Sequence, residues 1–171
     1  MSRLLPLLYL LLLAQASQSQ QVGTATRNDV PQSCPVAKPY QTSLFVPPSP
    51  YESSAGAGSF WFGTDRLWTV LPANGTWRGL GHYTPKDPTF RQKLFWSRQG
   101  YDWRTEPQPK LTVTGRRLDA QAAPLIADRA NNVSSEPAAM VVGINFPTLG
   151  CWEITGRYGD DTLTFVVWIA K

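Results

Sequence analysis

Near the C-terminus the side chains alternate, with Leu163, Phe165, Val167 and Ile169 on one parity and Thr164, Val166 and Trp168 on the other. A strand repeats every two residues, so this pattern predicts a strand over Thr162–Ile169 whose first set faces a core. The preceding run, Cys151–Tyr158, has Trp152 and Ile154 as its apolar set and Glu153, Thr155 and Arg157 as its polar set. Cys151 shares the polar parity, which points its side chain away from the core. Gly159-Asp160-Asp161 between the runs is a cluster of turn formers, and an antiparallel hairpin follows.

The same reading extends upstream. Phe60-Trp61-Phe62 precedes a turn at Gly63-Thr64-Asp65, and Arg66–Leu71 is a second β-rich run that Pro72 ends. Asn74-Gly75 predicts a type I′ hairpin turn. Further strands are expected over Arg91–Arg98, Leu111–Leu118 and Met140–Phe146. No long amphipathic helical stretch occurs. Ala120–Ala130 is Ala-rich, but Pro124 lies inside it and Asn131-Asn132 follow, so a long loop is expected. Short strands at turn-punctuated spacing predict an all-β sandwich or barrel over residues 59–171.

Two segments precede that body. Residues 1–16 combine Arg3, the apolar run Leu4–Leu13 and the small-x-small triplet Ala14-Gln15-Ala16, the pattern of a cleaved secretory signal. The run is about half the roughly 20 residues a helix needs to span a bilayer, so no stable membrane insertion is expected after its removal. Residues 17–58 form a Pro/Ser/Gln-rich arm. Recurring Pro31, Pro35, Pro39, Pro47, Pro48 and Pro50 favour extended backbone. Leu44-Phe45-Val46 is expected to dock on a surface as a short strand or staple, and Ser53–Gly58 makes a small-residue hinge. A secreted or periplasmic location follows.

The chain has 171 residues, 42% hydrophobic and 12% aromatic, enough to bury a core. Loss of Arg3 takes 16 basic residues to 15, against 12 acidic. That modest excess is scattered, so no nucleic-acid partner is expected. Two Cys and one His are too few for a zinc finger or a Cys/His cluster, and no cofactor or metal is expected. In an oxidising compartment Cys34 and Cys151 are expected to pair, stapling the arm to an outer sheet face at a gain of about 4–5 kcal/mol in the chain-entropy model. A redox pair, free thiols or an intermolecular bridge are the alternatives. His82 is read as a loop histidine, since no nucleophile elbow accompanies it. Turn chemistry accounts for Asp65, Asp87, Asp102, Asp160 and Asp161 without catalysis.

Seven tryptophans are the unusual quantity. Trp68, Trp96 and Trp152 sit in predicted strands and are assigned to packing. Trp77 and Trp103 do not. Arg98, Tyr101, Trp103 and Arg104 combine two aromatics with two guanidiniums in one loop, a candidate surface for a protein or glycan partner. The alternative is an Arg–aromatic stack that orders the loop.

Pro147-Thr148-Leu149-Gly150-Cys151-Trp152-Glu153-Ile154-Thr155-Gly156 resembles the penultimate strand of immunoglobulin-like bacterial domains. Where antibody-type domains carry Tyr and then Cys two residues on, Trp152 and Ile154 stand here, which implies no conventional inter-sheet disulfide. Most of the chain beyond residue 16 is also similar to a family of uncharacterised exported bacterial proteins. Trp61-Phe62-Gly63-Thr64-Asp65-Arg66-Leu67-Trp68, Gly100-Tyr101-Asp102-Trp103-Arg104 and the Phe146–Tyr158 block carry the similarity. It implies an immunoglobulin-like antiparallel β-sandwich with an N-terminal arm, and brings no catalytic residue with it. The expected function is a non-catalytic binding or structural module. A carbohydrate-binding module using exposed Trp and Tyr, and a carboxylate-based hydrolase, are the alternatives.

Overall fold

The computed structural model describes residues 30–39, 45–51, 54–82, 84–134 and 137–171. The signal-like segment, the whole of the arm before Val30, Leu44, Ser53 and Tyr83 lie outside the described residues. Those described form no helix and ten strands: β1 (Ser59–Gly63), β2 (Trp68–Pro72), β3 (Thr76–Trp77), β4 (Phe90–Ser97), β5 (Thr112–Arg117), β6 (Ile126–Ala127), β7 (Asn131–Val133), β8 (Ala139–Phe146), β9 (Gly150–Tyr158) and β10 (Asp161–Ile169). They build an all-β sandwich. The larger sheet runs β1-β2-β4-β8-β6, with β7 also on β8, and the smaller runs β3-β10-β9-β5. Every pairing is antiparallel except β3 with β10.

Alternation places the core as expected. Leu163, Phe165, Val167 and Ile169 of β10 and Trp152 and Ile154 of β9 are buried, facing Leu94, Trp96, Met140, Val142, Ile144 and Phe146 of the larger sheet. Trp96 crosses to the smaller sheet at Gly156, where a Cβ would collide with its indole, and it tilts against Phe165 with ring centroids 5.8 Å apart. Phe146 meets Trp152 edge-on at 5.3 Å. These interlocked rings occupy the middle of the sandwich. Burying one such ring is worth several kcal/mol, because its removal loses both transfer energy and contacts across the cavity left behind.

Three sequence expectations change. Asn74-Gly75 does not close a hairpin. Pro72 O accepts from Gly75 N at 2.8 Å and Asn74 Oδ1 from Thr76 N at 3.0 Å, so the chain turns out of the larger sheet and enters the smaller one as β3 beside β10. Only Gly75 takes a positive φ, 68°, whereas a type I′ turn needs two such residues. Local chemistry sets the turn, but the partner strand is chosen by the two-sheet packing. Trp77 consequently lies in the core, 8% exposed, against Phe146. Within the expected loop 120–130, Ile126 and Ala127 pair with β8, and Leu125 is buried over Gly115, which has no Cβ to obstruct it.

The arm wraps both sheets. Cys34 and Val36 lie on the outer face of the smaller sheet, while Phe45 and Tyr51 pack on Trp68 from the outer face of the larger one. Trp68 is fully buried there, beneath the arm and outside the inter-sheet core.

Candidate functional site

Loop 98–111 holds the four residues that the sequence groups as a surface, and the structure divides them. Arg98 lies 4.5 Å over the Tyr158 ring, and Arg104 lies 4.6 Å over Trp103. Asp102 accepts from Arg104 N at 2.9 Å and turns the chain between them. Tyr101 is buried, its hydroxyl donating to Glu106 O at 3.3 Å. Burial, and then the nearby Glu106 carboxylate, push its phenol up to about 12. The Tyr158 phenol is also raised, by burial and by the hydrogen bond its hydroxyl donates to Glu106 Oε2. Of the four, only Arg104 is exposed; Arg98 and Trp103 are half-buried. The stacks order the loop.

Cys34 and Cys151 form a disulfide with Cα atoms 5.7 Å apart. Val30, Val36, Leu118, Val166 and Trp168 surround it, so Cys151 occupies the outer parity that its strand pattern requires. Cys151 N donates to Asp119 Oδ1 at 3.1 Å, and Arg117 Nε donates to the same carboxylate at 2.7 Å. The Arg117 hydrogen bond, against a smaller opposing effect of burial, holds the Asp119 carboxyl below its ordinary value.

His82 is exposed, its Nδ1–H donating to Thr89 O at 2.7 Å and its ring resting near Phe90. Asp87 accepts from both Thr89 N and Thr89 Oγ1, which lowers its pKa. Asp161 pairs with Arg66 at 2.8 Å in a polar groove of about 300 Å³ that Asp65, Arg98 and Gln99 complete. Among the described residues no three His, Cys, Asp or Glu side chains converge on a metal position. None of the seven tryptophans is fully exposed, and the three half-buried ones are dispersed. Trp61 is on the larger sheet, Trp103 in a loop and Trp168 on the outer face of the smaller sheet.

A different feature emerges where β2 leaves the larger sheet. β2 pairs with β4 only at Trp68↔Ser97 and Thr69↔Trp96; beyond Thr69 the two strands part. Between them opens a mainly apolar cleft of about 420 Å³, with Leu71, Leu94 and the indole of Trp77 deep in it and Val70, Lys93 and Phe95 at its lips. Arg91 N donates away from β8, to Gly81 O at 2.8 Å. By the two-residue alternation Lys93 and Phe95 turn their backbone groups to the same side. There Lys93 N finds the side chain of Gln92, at 3.1 Å from Oε1, and Phe95 O accepts from Thr69 Oγ1 at 2.6 Å. Phe95 still stands at the last β2–β4 pair, so the stretch of β4 without a neighbouring strand centres on Lys93.

An apolar row crosses the outer surface beside the cleft. Trp61 pairs with Val70, Phe95 pairs with Val141, and the register at Thr69↔Trp96 brings Val70 level with Phe95. Phe95 is 47% exposed, a large value for a ring in mid-sheet. The sequence carried one trace of this row: Leu94-Phe95-Trp96 is apolar on both parities, so one ring had to leave the core. The cleft had no such signal, because it depends on where β2 changes sheets. Comparison with family models, curated proteins and solved structures returned no match.

Proposed function

We propose that this chain is an exported, immunoglobulin-like domain that works as a non-catalytic binding module through the outer face of its larger sheet. The immunoglobulin-like reading is supported by strand order: β2, β4, β8 and β6 follow the order A-B-E-D, and β5, β9 and β10 follow C-F-G. Export is supported by the signal-like residues 1–16 and by the Cys34–Cys151 disulfide, a bond that persists in oxidising compartments. No helix among the described residues is long and apolar enough to cross a membrane.

The observation that carries the binding reading is Phe95, an aromatic ring exposed in the middle of a sheet beside Val70 and Val141. Exposed apolar area of this kind is retained at interaction surfaces, because it costs solubility otherwise. The test is a binding screen of the purified, disulfide-bonded protein against peptide and glycan libraries, with Phe95→Glu as control. Ligands retained by the parent and lost by Phe95→Glu, at unchanged melting temperature, are expected. Ligands that bind both proteins equally, or turnover of an ester or glycoside panel, would overturn the reading.

A further inference from the structure

We propose that the cleft between β2 and β4 accepts an extended peptide of a partner protein as an added strand, one carrying apolar side chains at alternate positions and an acidic residue beside Lys93. The inference rests on the binding-module reading and names the ligand class. Three features of the site point to an extended peptide. Backbone groups of Lys93 face the opening, and its amide is met by the Gln92 side chain, which an incoming main chain can replace. Between Arg91, whose amide is held by Gly81, and Phe95, where β2 rejoins β4, the strand extends about 13 Å, room for about three residues of a new strand. The floor of Leu71, Leu94 and Trp77 receives side chains of one parity, and Phe95 and Val70 flank those of the other.

Charge sets the polar position. Lys93 is the one ionisable residue lining the cleft, it is exposed, and it forms no ion pair among the described residues. A strand laid against β4 puts one outward side chain directly beside it, where an opposite charge is favoured. The chain's own residues 17–29 fit poorly, since Val22 and Ala25 are their only apolar side chains besides glycine and they fall on opposite parities.

The test uses the disulfide-bonded protein and a displayed library of linear heptapeptides with Val, Ile, Leu or Phe at alternate positions and Asp, Glu, Lys or Arg permitted between them. Selected peptides are then N-methylated at amides of one parity or the other. Methylation on the β4-facing parity is expected to weaken binding at least tenfold, with little change on the opposite parity, and Lys93→Glu should reverse the preference from acidic to basic peptides. Loss of binding with Phe95→Glu but equal tolerance of both methylation patterns would overturn strand addition and leave the binding-module reading standing. A library that yields no binder sensitive to Lys93 or Phe95 substitution would overturn the cleft as a peptide site. Should Phe95→Glu fail to fold, protection of the Lys93 amide from hydrogen exchange by bound peptide decides the matter on the parent protein.

Discussion

Two strand edges of this sandwich are closed by different means. Along the open side of β10, Val166 O accepts from Ala37 N at 2.9 Å, Trp168 N donates to Gly75 O at 2.9 Å, and Ala170 N donates to Trp77 O at 2.9 Å. Arm and β3 together form a continuous backbone seal, locked by the disulfide. Along the open side of β4, the Lys93 amide meets only the side chain of Gln92. Sheet edges template further pairing unless covered. A backbone seal is held by the whole fold, whereas a side-chain stopper yields at the cost of one or two rotamers. One edge is therefore finished, and the other is available.

The largest test of this contrast removes the lock. Cys34→Ser with Cys151→Ser should lower stability in guanidinium by about 4–5 kcal/mol in the chain-entropy model and speed exchange of the Trp168 amide. A loss below about 1 kcal/mol would mean that the seal does not depend on the bond. Next is Gly75→Ala, where a positive φ of 68° combines with a Cβ that would stand 2.6 Å from the Val36 side chain. A loss of about 1–3 kcal/mol is expected in the same unfolding assay.

At the available edge the effect should be far smaller. Gln92→Ala should leave stability within about 0.5 kcal/mol while the Lys93 amide exchanges faster, since only the stopper is lost. A destabilisation above 1 kcal/mol would show that Gln92 holds the sheet together.

The smallest effect concerns acid. Asp119 has a folded pKa below its ordinary value of 3.8, so its stabilisation is fully present above that value and is lost as pH falls through the folded one. Acid should loosen the sealed side, where Asp119 accepts from Cys151 N, and spare the β4 edge, whose stopper Gln92 does not titrate. Asp119→Asn should flatten this pH dependence of thermal melting.

Strands were the most legible part of the molecule. The alternation in Thr162–Ile169 and Cys151–Tyr158 marked β10 and β9 almost to the residue, because burial of one sheet face acts directly on every second side chain. Cys151 was legible for the same reason: its parity put it outside the core, where Cys34 of the arm meets it. The loop aromatics were legible as a group but not as a geometry. Tyr101 turns in to the Glu106 carbonyl, and the Glu106 carboxylate is met by Tyr158, 57 positions from Tyr101 in the chain. Short strands such as β6 and β7 left no pattern, since two or three residues do not establish a period.

By itself, the sequence determined the class of fold, the inward and outward parity of the long strands and the outward position of Cys151, because each follows from a local period set by burial. Tertiary structure alone decided that the Asn74-Gly75 turn leads across to β10, that Trp77 follows it into the core and that β4 is left with a stretch of unpaired edge. Those outcomes depend on which strands two packed sheets bring together, and local periodicity carries no record of that choice.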